Sequence, residues 1–197
     1  MVIIMEIKEE DVFPFISGEK IDLIAPNSNW AHLYAKWRND PQVRLYMRNV
    51  MPRTLESIKK RYEPQEGGTP EHIGFTIYHK KDKKPIGTVG LSRINWFNRW
   101  ANAYTQIGEK EYWGRDIATE AVKLLLKYAF EELNLHKISG GAAINNIGSW
   151  TVAEKVGFKF EGIMKDEFYV DGKYIDGKRY YFMEEDWFNA NKKRKSL

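Results

Sequence analysis

The sequence predicts an α/β (α+β) domain, a single mixed central sheet of about seven strands flanked by helices. Three observations predict it. From Asp116 to about Leu133, the residues Ile117, Ala121, Leu124, Leu125, Tyr128 and Ala129 recur at helical spacing and give one long helix an apolar face. Three closely spaced apolar segments precede that helix within residues 75–107. A strand, a short helix and two further strands follow it.

The elements follow in chain order. Residues 18–25 (GEKIDLIA) end in alternation and read as the first strand. Asn27, Ser28 and Asn29 offer a cap for a helix over 30–38, where Trp30, Leu33, Tyr34 and Trp37 form a core face. Asn39-Asp40-Pro41 ends it, with Asn39 and Asp40 as capping residues. Thr54 caps a short helix over 55–62, and Gly67-Gly68-Thr69-Pro70 is a loop. Phe75, Ile77 and Tyr78 mark a strand that turns at residues 81–84; strands over 85–94 and 101–107 follow. Between those two, Trp96, Phe97 and Trp100 either pack on the sheet or edge an opening. A strand over 137–143 and a helix over 148–155 precede the last two strands, which flank the turn Asp171-Gly172.

With 43% hydrophobic and 29% charged residues, the 197-residue chain can bury one core. The absence of cysteine excludes disulfides, cysteine-zinc sites, iron–sulfur clusters and thiol nucleophiles. The four histidines (His32, His72, His79, His136) have no metal-ligand spacing, so no metal is expected. The net charge of +4 equals the contribution of Lys192, Lys193, Arg194 and Lys195. The basic balance therefore belongs to a solvated tail and argues little for nucleic acid. The start, MVIIMEIKEE, has neither a basic leader nor the length of a membrane span, so a soluble cytoplasmic protein is expected. Residues 1–17 read as an extension, 18–186 as the domain and 187–197 as the basic tail.

The chemistry concentrates at residues 107–121, a strand end, a Gly-containing loop and a helix start. Free amides at a helix start suit a phosphate or pyrophosphate. The stretch is neither a P-loop nor a dinucleotide fingerprint, and on spacing alone an ordinary strand–helix turn remains open.

YWGRDIATEA, then Asn146-Ile147-Gly148-Ser149, then Glu154-Lys155-Val156-Gly157-Phe158 resemble the GNAT superfamily of acetyl-CoA-dependent N-acetyltransferases. The likeness is to the branch of ribosomal-protein N-terminal acetyltransferases and diamine acetyltransferases. It extends to the opening GEKIDLIAP and the ending YVDGKYIDGKRYYF, from about residue 18 to 186. The resemblance implies acetyl-CoA as cosubstrate and an amine acceptor, such as a small amine or a ribosomal-protein N-terminus. It implies pyrophosphate on the backbone of Trp113, Gly114, Arg115, Asp116, Ile117, Ala118 and Thr119. The pantetheine arm would lie along Gln106-Ile107-Gly108, with Asn146 and Ser149 on its sulfur side. The Gln106 or Ile107 amide would meet the oxyanion of direct attack by the amine. Lys155 is in reach of the phosphates or is a solvated helix charge.

Three departures from the family's pattern matter. Its Q/R-x-x-G-x-G/A core falls on residues 113–118, with Asp116 at the central Gly. Asp116 is expected to cap the helix and point away, its charge offset by Arg115. Ala153 stands where many members carry an acid Tyr, leaving Ser149 as donor to the thiolate. Asn102 stands where related sequences carry a Glu base, and an amide is no useful proton acceptor. Asp176 is the alternate base or a turn residue beside Gly177. So few acid–base groups favour an α-amine-like acceptor, which at a pKa near ~8 is already partly neutral. Arg44 would lie on the acceptor side, Arg48 is a surface arginine able to pair with an anion, and His136 has no assigned role. The competing function is a non-catalytic CoA- or RNA-binding module that keeps the fold.

Overall fold

The computed structural model describes residues 12–47, 51–62 and 67–195. Arg48, the first eleven residues of the N-terminal extension and the last two of the tail lie outside the described residues. In chain order the strands are β1 (Pro14–Ser17), β2 (Ile21–Ile24), β3 (His72–His79), β4 (Lys84–Asn95), β5 (Trp100–Ile107), β6 (Lys137–Ala143), β7 (Lys159–Val170) and β8 (Lys173–Met183). The helices are α1 (Ala31–Asn39), α2 (Pro41–Arg44), α3 (Leu55–Arg61), α4 (Ile117–Glu131), α5 (Ile147–Val156) and α6 (Glu184–Lys195). One eight-stranded sheet has the order β1-β2-β3-β4-β5-β6-β8-β7. Of its seven pairings only β5 with β6 is parallel.

Alternation along the strands sends side chains to two cores. On one face α4 buries Ile117, Ala121, Val122, Leu125, Leu126, Ala129 and Phe130 against Leu23, Phe75, Ile77 and Val89. Each fully buried Leu of that face contributes ~2 kcal/mol. Leu124 and Tyr128, also expected on the face, lie half-buried at its margin. On the other face Trp30, Tyr34 and Trp37 of the first helical segment pack with Ile58 of α3 and with Ile24 and Tyr78. The Tyr34 hydroxyl hydrogen-bonds with Thr76 beneath it. The expected caps hold at Thr54, which accepts from the Ser57 amide, and at Asp40, which accepts from Gln42 and Val43. Asn39 instead exchanges two hydrogen bonds with the Arg53 backbone, tying the end of α1 to the segment before α3.

The sheet has one strand more than expected. Residues 14–17, assigned to the N-terminal extension, form the edge strand β1, where Phe15 stacks on Phe75 and meets Tyr128 edge-on. Four residues beside a proline are too short to show alternation in the sequence. The tail, expected to be solvated and irregular, continues α6 through Lys195. Its first turns are anchored by Trp187, which donates to Glu131 at 2.8 Å, and by Glu184, which accepts from Arg99 at 2.9 Å and contacts His136 at 3.1 Å. No helix among the described residues is long and apolar enough to cross a membrane.

Candidate active site

The parallel pair β5 and β6 opens the sheet. Their pairing runs only from Trp100↔Lys137 to Asn102↔Ser139, although β5 continues to Ile107 and β6 to Ala143. A cleft of about 1010 Å³ fills the gap and continues beneath α4 and α5. The Gly108 amide donates to Ile86 at 2.8 Å. Alternation then turns the amides of residues 104 and 106 toward β4, and those of 105 and 107 toward the gap. Of the two amides named for the oxyanion, Ile107's faces the cleft and Gln106's does not. Thr105 Oγ1, Gln106 Nε2 and Thr119 Oγ1 are buried without a hydrogen-bond partner, and all three residues line the cleft.

The loop between β5 and α4 is pinned at its middle. Trp113 Nε1 donates to the Ile107 carbonyl at 2.9 Å, and the Tyr112 hydroxyl donates to Asp82. Gly114 has φ +72° and Asp116 φ +60°. This left-handed conformation is why glycine suits position 116, and aspartate is among the few other residues that adopt it. Asp116 precedes α4 but makes no side-chain cap hydrogen bond, which corrects the expectation that it caps the helix. In the left-handed conformation its carboxylate turns instead to α5 and accepts from Lys155 Nζ at 2.7 Å. That bond holds its carboxyl below the usual range. Arg115 does not offset it; its guanidinium lies over the Tyr112 ring, 5.6 Å from the centroid. The first-turn amides of Ile117, Ala118 and Thr119 have no intrahelical acceptor and no cap. The Trp113 amide is already bonded to Lys110 and is not part of that free set. Gly108 gives its place to the Trp37 ring, which lies where a Cβ would stand.

Across the cleft, Asn146 Oδ1 caps α5 by accepting from the Ser149 amide at 3.4 Å. Its side-chain Nδ2 has no hydrogen-bond partner among the described residues, and Asn146, Ser149, Ala153 and Lys155 all line the cleft. Trp150 is half-buried at the cleft wall; it donates to the Ile144 carbonyl, and Lys178 lies 3.8 Å from its ring centroid.

The opposite end of the cleft holds residues that the sequence reading did not connect. Tyr104, on β5, lies across Gly90 and Gly74, its neighbours in register on β4 and β3. A Cβ at Gly74 or Gly90 would stand 2.8 or 2.6 Å from the Tyr104 hydroxyl, so two glycines make the hollow that takes the ring. His72 stacks on Tyr104 with centroids 5.4 Å apart, and Arg61 lies 3.4 Å from His72 Nε2. Arg38 of α1 completes this wall. Burial, then Arg61 and Arg38, push the His72 imidazole down to about 4. Burial pushes the Tyr104 hydroxyl up. Tyr104 could have been found from the sequence, since it stands two residues before Gln106 on the same strand face; His72, Arg38 and Arg61 come from three separate elements and leave no local pattern.

Asn102 and Asp176 are not in the cleft walls. Asn102 lies at the last paired position of β5 and lines a separate groove of about 550 Å³. Asp176, within β8, accepts from Lys165 at 2.8 Å and from the Asp166 amide at 3.1 Å, and Lys165 holds its carboxyl below the usual range. Trp96 packs against the core and donates to Pro70, Phe97 is exposed at the connector tip, and Trp100 faces the groove with Asn102. Arg44 is absent from the described walls of both.

This geometry agrees with comparison to known proteins. Residues 22–159 match the model of the acetyltransferase (GNAT) domain. The chain belongs to the GNAT acetyltransferase family. "Probable N-acetyltransferase YjcK" of Bacillus subtilis is 40% identical over 128 residues, 62% of this chain and 69% of that one. The spermidine N(1)-acetyltransferase of Vibrio cholerae is 30% identical over 149 residues, 73% of this chain and 86% of that one. The spermidine N-acetyltransferase from Vibrio cholerae solved in complex with CoA and spermine superposes with a TM-score of 0.79 at 25% identity, over 87% of this chain and 99% of that one. This acetyltransferase therefore has the family's fold as well as its sequence pattern.

Proposed function

We propose that the cleft binds acetyl-CoA and passes its acetyl group to a primary amine by direct attack within a ternary complex. One observation carries the reading: the unpaired edge of β5 and the uncapped amides of α4 open onto the same cleft. The orphaned polar atoms of Thr105, Gln106 and Thr119 along it fit a ligand rich in hydrogen-bonding groups. Bound there, acetyl-CoA supplies an activated thioester carbonyl.

The chain's own groups do the rest. The Ile117, Ala118 and Thr119 amides, at the positive end of the α4 dipole, hold the pyrophosphate. Lys155 serves twice, neutralising Asp116 and keeping a cation beside the phosphates. The Ile107 amide donates to the oxyanion, a contribution typically worth ~3–4 kcal/mol. Ser149, in the first turn of α5, donates to the departing thiolate, which at a thiol pKa of ~8.5 needs only modest help. With Asn102 and Asp176 outside the cleft, the amine enters already neutral or loses its proton to water.

Calorimetric titration with CoA, followed by free-thiol release from acetyl-CoA with amines, tests the reading. Micromolar CoA binding and amine-dependent thiol release are expected. No heat at millimolar CoA would overturn it.

A further inference from the structure

Among the described residues, the acceptor end of the cleft is lined by cations and by no carboxylate. Among the described residues that line the cleft, the sole carboxylate is Asp116, at the far end and held by Lys155. Two acids on neighbouring elements are also engaged: Asp40 by Lys110 at 2.9 Å and two α2 amides, and Glu109 by Lys36 at 2.9 Å and the Trp37 indole at 2.8 Å. Arg38 and Arg61, by contrast, have no carboxylate partner among the described residues. The charges acting on Arg38 are those of Arg61 and Arg53 and the phenols of Tyr62 and Tyr104. Two guanidiniums thus line the wall that holds the Tyr104–His72 stack. Arginine forks match carboxylate and phosphate oxygens, and in a partly desolvated wall a pair of them without a carboxylate partner among the described residues invites an anion.

We propose that the acceptor of this enzyme is a small amine that also carries an oxyanion, a carboxylate or a phosphate, which Arg38 and Arg61 hold while the amine points to the thioester. The inference rests on the transferase reading for the word acceptor, but the anion site stands on its own geometry. The Tyr104 hydroxyl, which has no hydrogen-bond partner among the described residues, offers a further donor, and the imidazole, neutral at pH 7, leaves the positive charge on the arginines. A polyamine brings two or more positive charges to the same wall and is repelled by it.

The test is calorimetry on the full chain with and without saturating CoA. The probes are O-phosphoethanolamine against ethanolamine, β-alanine against propylamine, and spermidine. At least one oxyanion-bearing amine is expected to bind ten-fold or more tighter than its uncharged counterpart, with spermidine weakest; the two pairs distinguish phosphate from carboxylate. Arg61→Met, at an exposed position, is expected to reduce that preference below about three-fold while CoA affinity stays unchanged, and Arg61→Lys to retain part of it. Spermidine binding tightest, equal binding within both pairs, or no oxyanion amine binding below about 10 mM would overturn the proposal. Oxyanion preference without CoA binding would defeat the transferase reading and leave this one; CoA binding and thiol release without the preference would do the reverse.

Discussion

The two ends of the cleft are made of different material. Under α4 it is built from backbone: a strand edge that pairs with nothing, a loop that twice turns left-handed, and amides that no side chain caps. At the acceptor end it is built from side chains, the Tyr104–His72 stack in a hollow made by two glycines, and Arg38 and Arg61 beside it. Backbone amides accompany any residue except proline, so the first end keeps its shape with Asp116 at its central glycine position. Side chains define the second end completely, and there the chain can depart from its relatives without disturbing the fold.

Small substitutions at the glycines of each end should expose this contrast most strongly. At Gly90 a Cβ would run into the Ile73 carbonyl and the Tyr104 hydroxyl, neither of which can yield without moving β3 or the ring. Gly90→Ala is expected to cost about 3 kcal/mol, at the upper end of overpacking, in urea denaturation. Gly114 has open space around it and only its φ of +72° to protect. Gly114→Ala is expected to cost about 1 kcal/mol. Equal costs would mean that the acceptor floor is not the tighter of the two.

The next effect is electrostatic and confined to the backbone-built end. Lys155→Met leaves the Asp116 carboxylate unpaired beside the phosphates and is expected to weaken CoA binding about five-fold. Asp116→Gly removes that charge at a position whose φ suits glycine and is expected to tighten it by a similar factor. Independent effects of this size would cancel in the double variant; because Lys155 acts partly by masking Asp116, the double variant is expected to bind CoA more tightly than the wild type. Additive effects in calorimetry would show that they do not act as a pair at the phosphates.

The last effect, absent at neutral pH, is the titration of His72. Its folded value, about 4, lies below the ordinary 6.5, so the unfolded chain takes up this proton first. Stability from this group is complete above pH 6.5 and declines as pH falls toward 4. Arg61→Met removes one of the two cations that oppose protonation. In NMR titration the imidazole is then expected to move up toward 6.5, and the acid-side decline to become shallower. An unchanged titration would place Arg61 too far from the ring to form one site with it.

The same contrast explains what could be read from the sequence. The long helix, the strands around it and the loop at residues 107–121 follow from periodicity and a contiguous motif, and the structure has them within a few residues. Position 116 was flagged as unusual, but its left-handed φ and its bond to Lys155, 39 residues away, depend on how α5 packs beside α4. Likewise α6 reads as a charged tail until Trp187 and Glu184 find Glu131, Arg99 and His136 on distant elements. The acceptor wall needs α1, α3, β3 and β5 at once, so no window of sequence contains it. Asn102 stands at the resemblance's base position and Asp176 is the alternate base on the last hairpin; register and an ion pair direct them elsewhere.

The central claim is that uncapped amides at the start of α4 grip the pyrophosphate of CoA. Ala118 is half-buried in that first turn, where proline removes an amide with no intrahelical acceptor and its ring meets no carbonyl of a preceding helical turn. Calorimetric titration of CoA into the wild type and Ala118→Pro, with melting curves of both, tests it most directly. The account predicts micromolar binding by the wild type, at least ten-fold weaker binding by the variant, and closely similar melting. Equal CoA affinity in the two proteins, at equal stability, would contradict it.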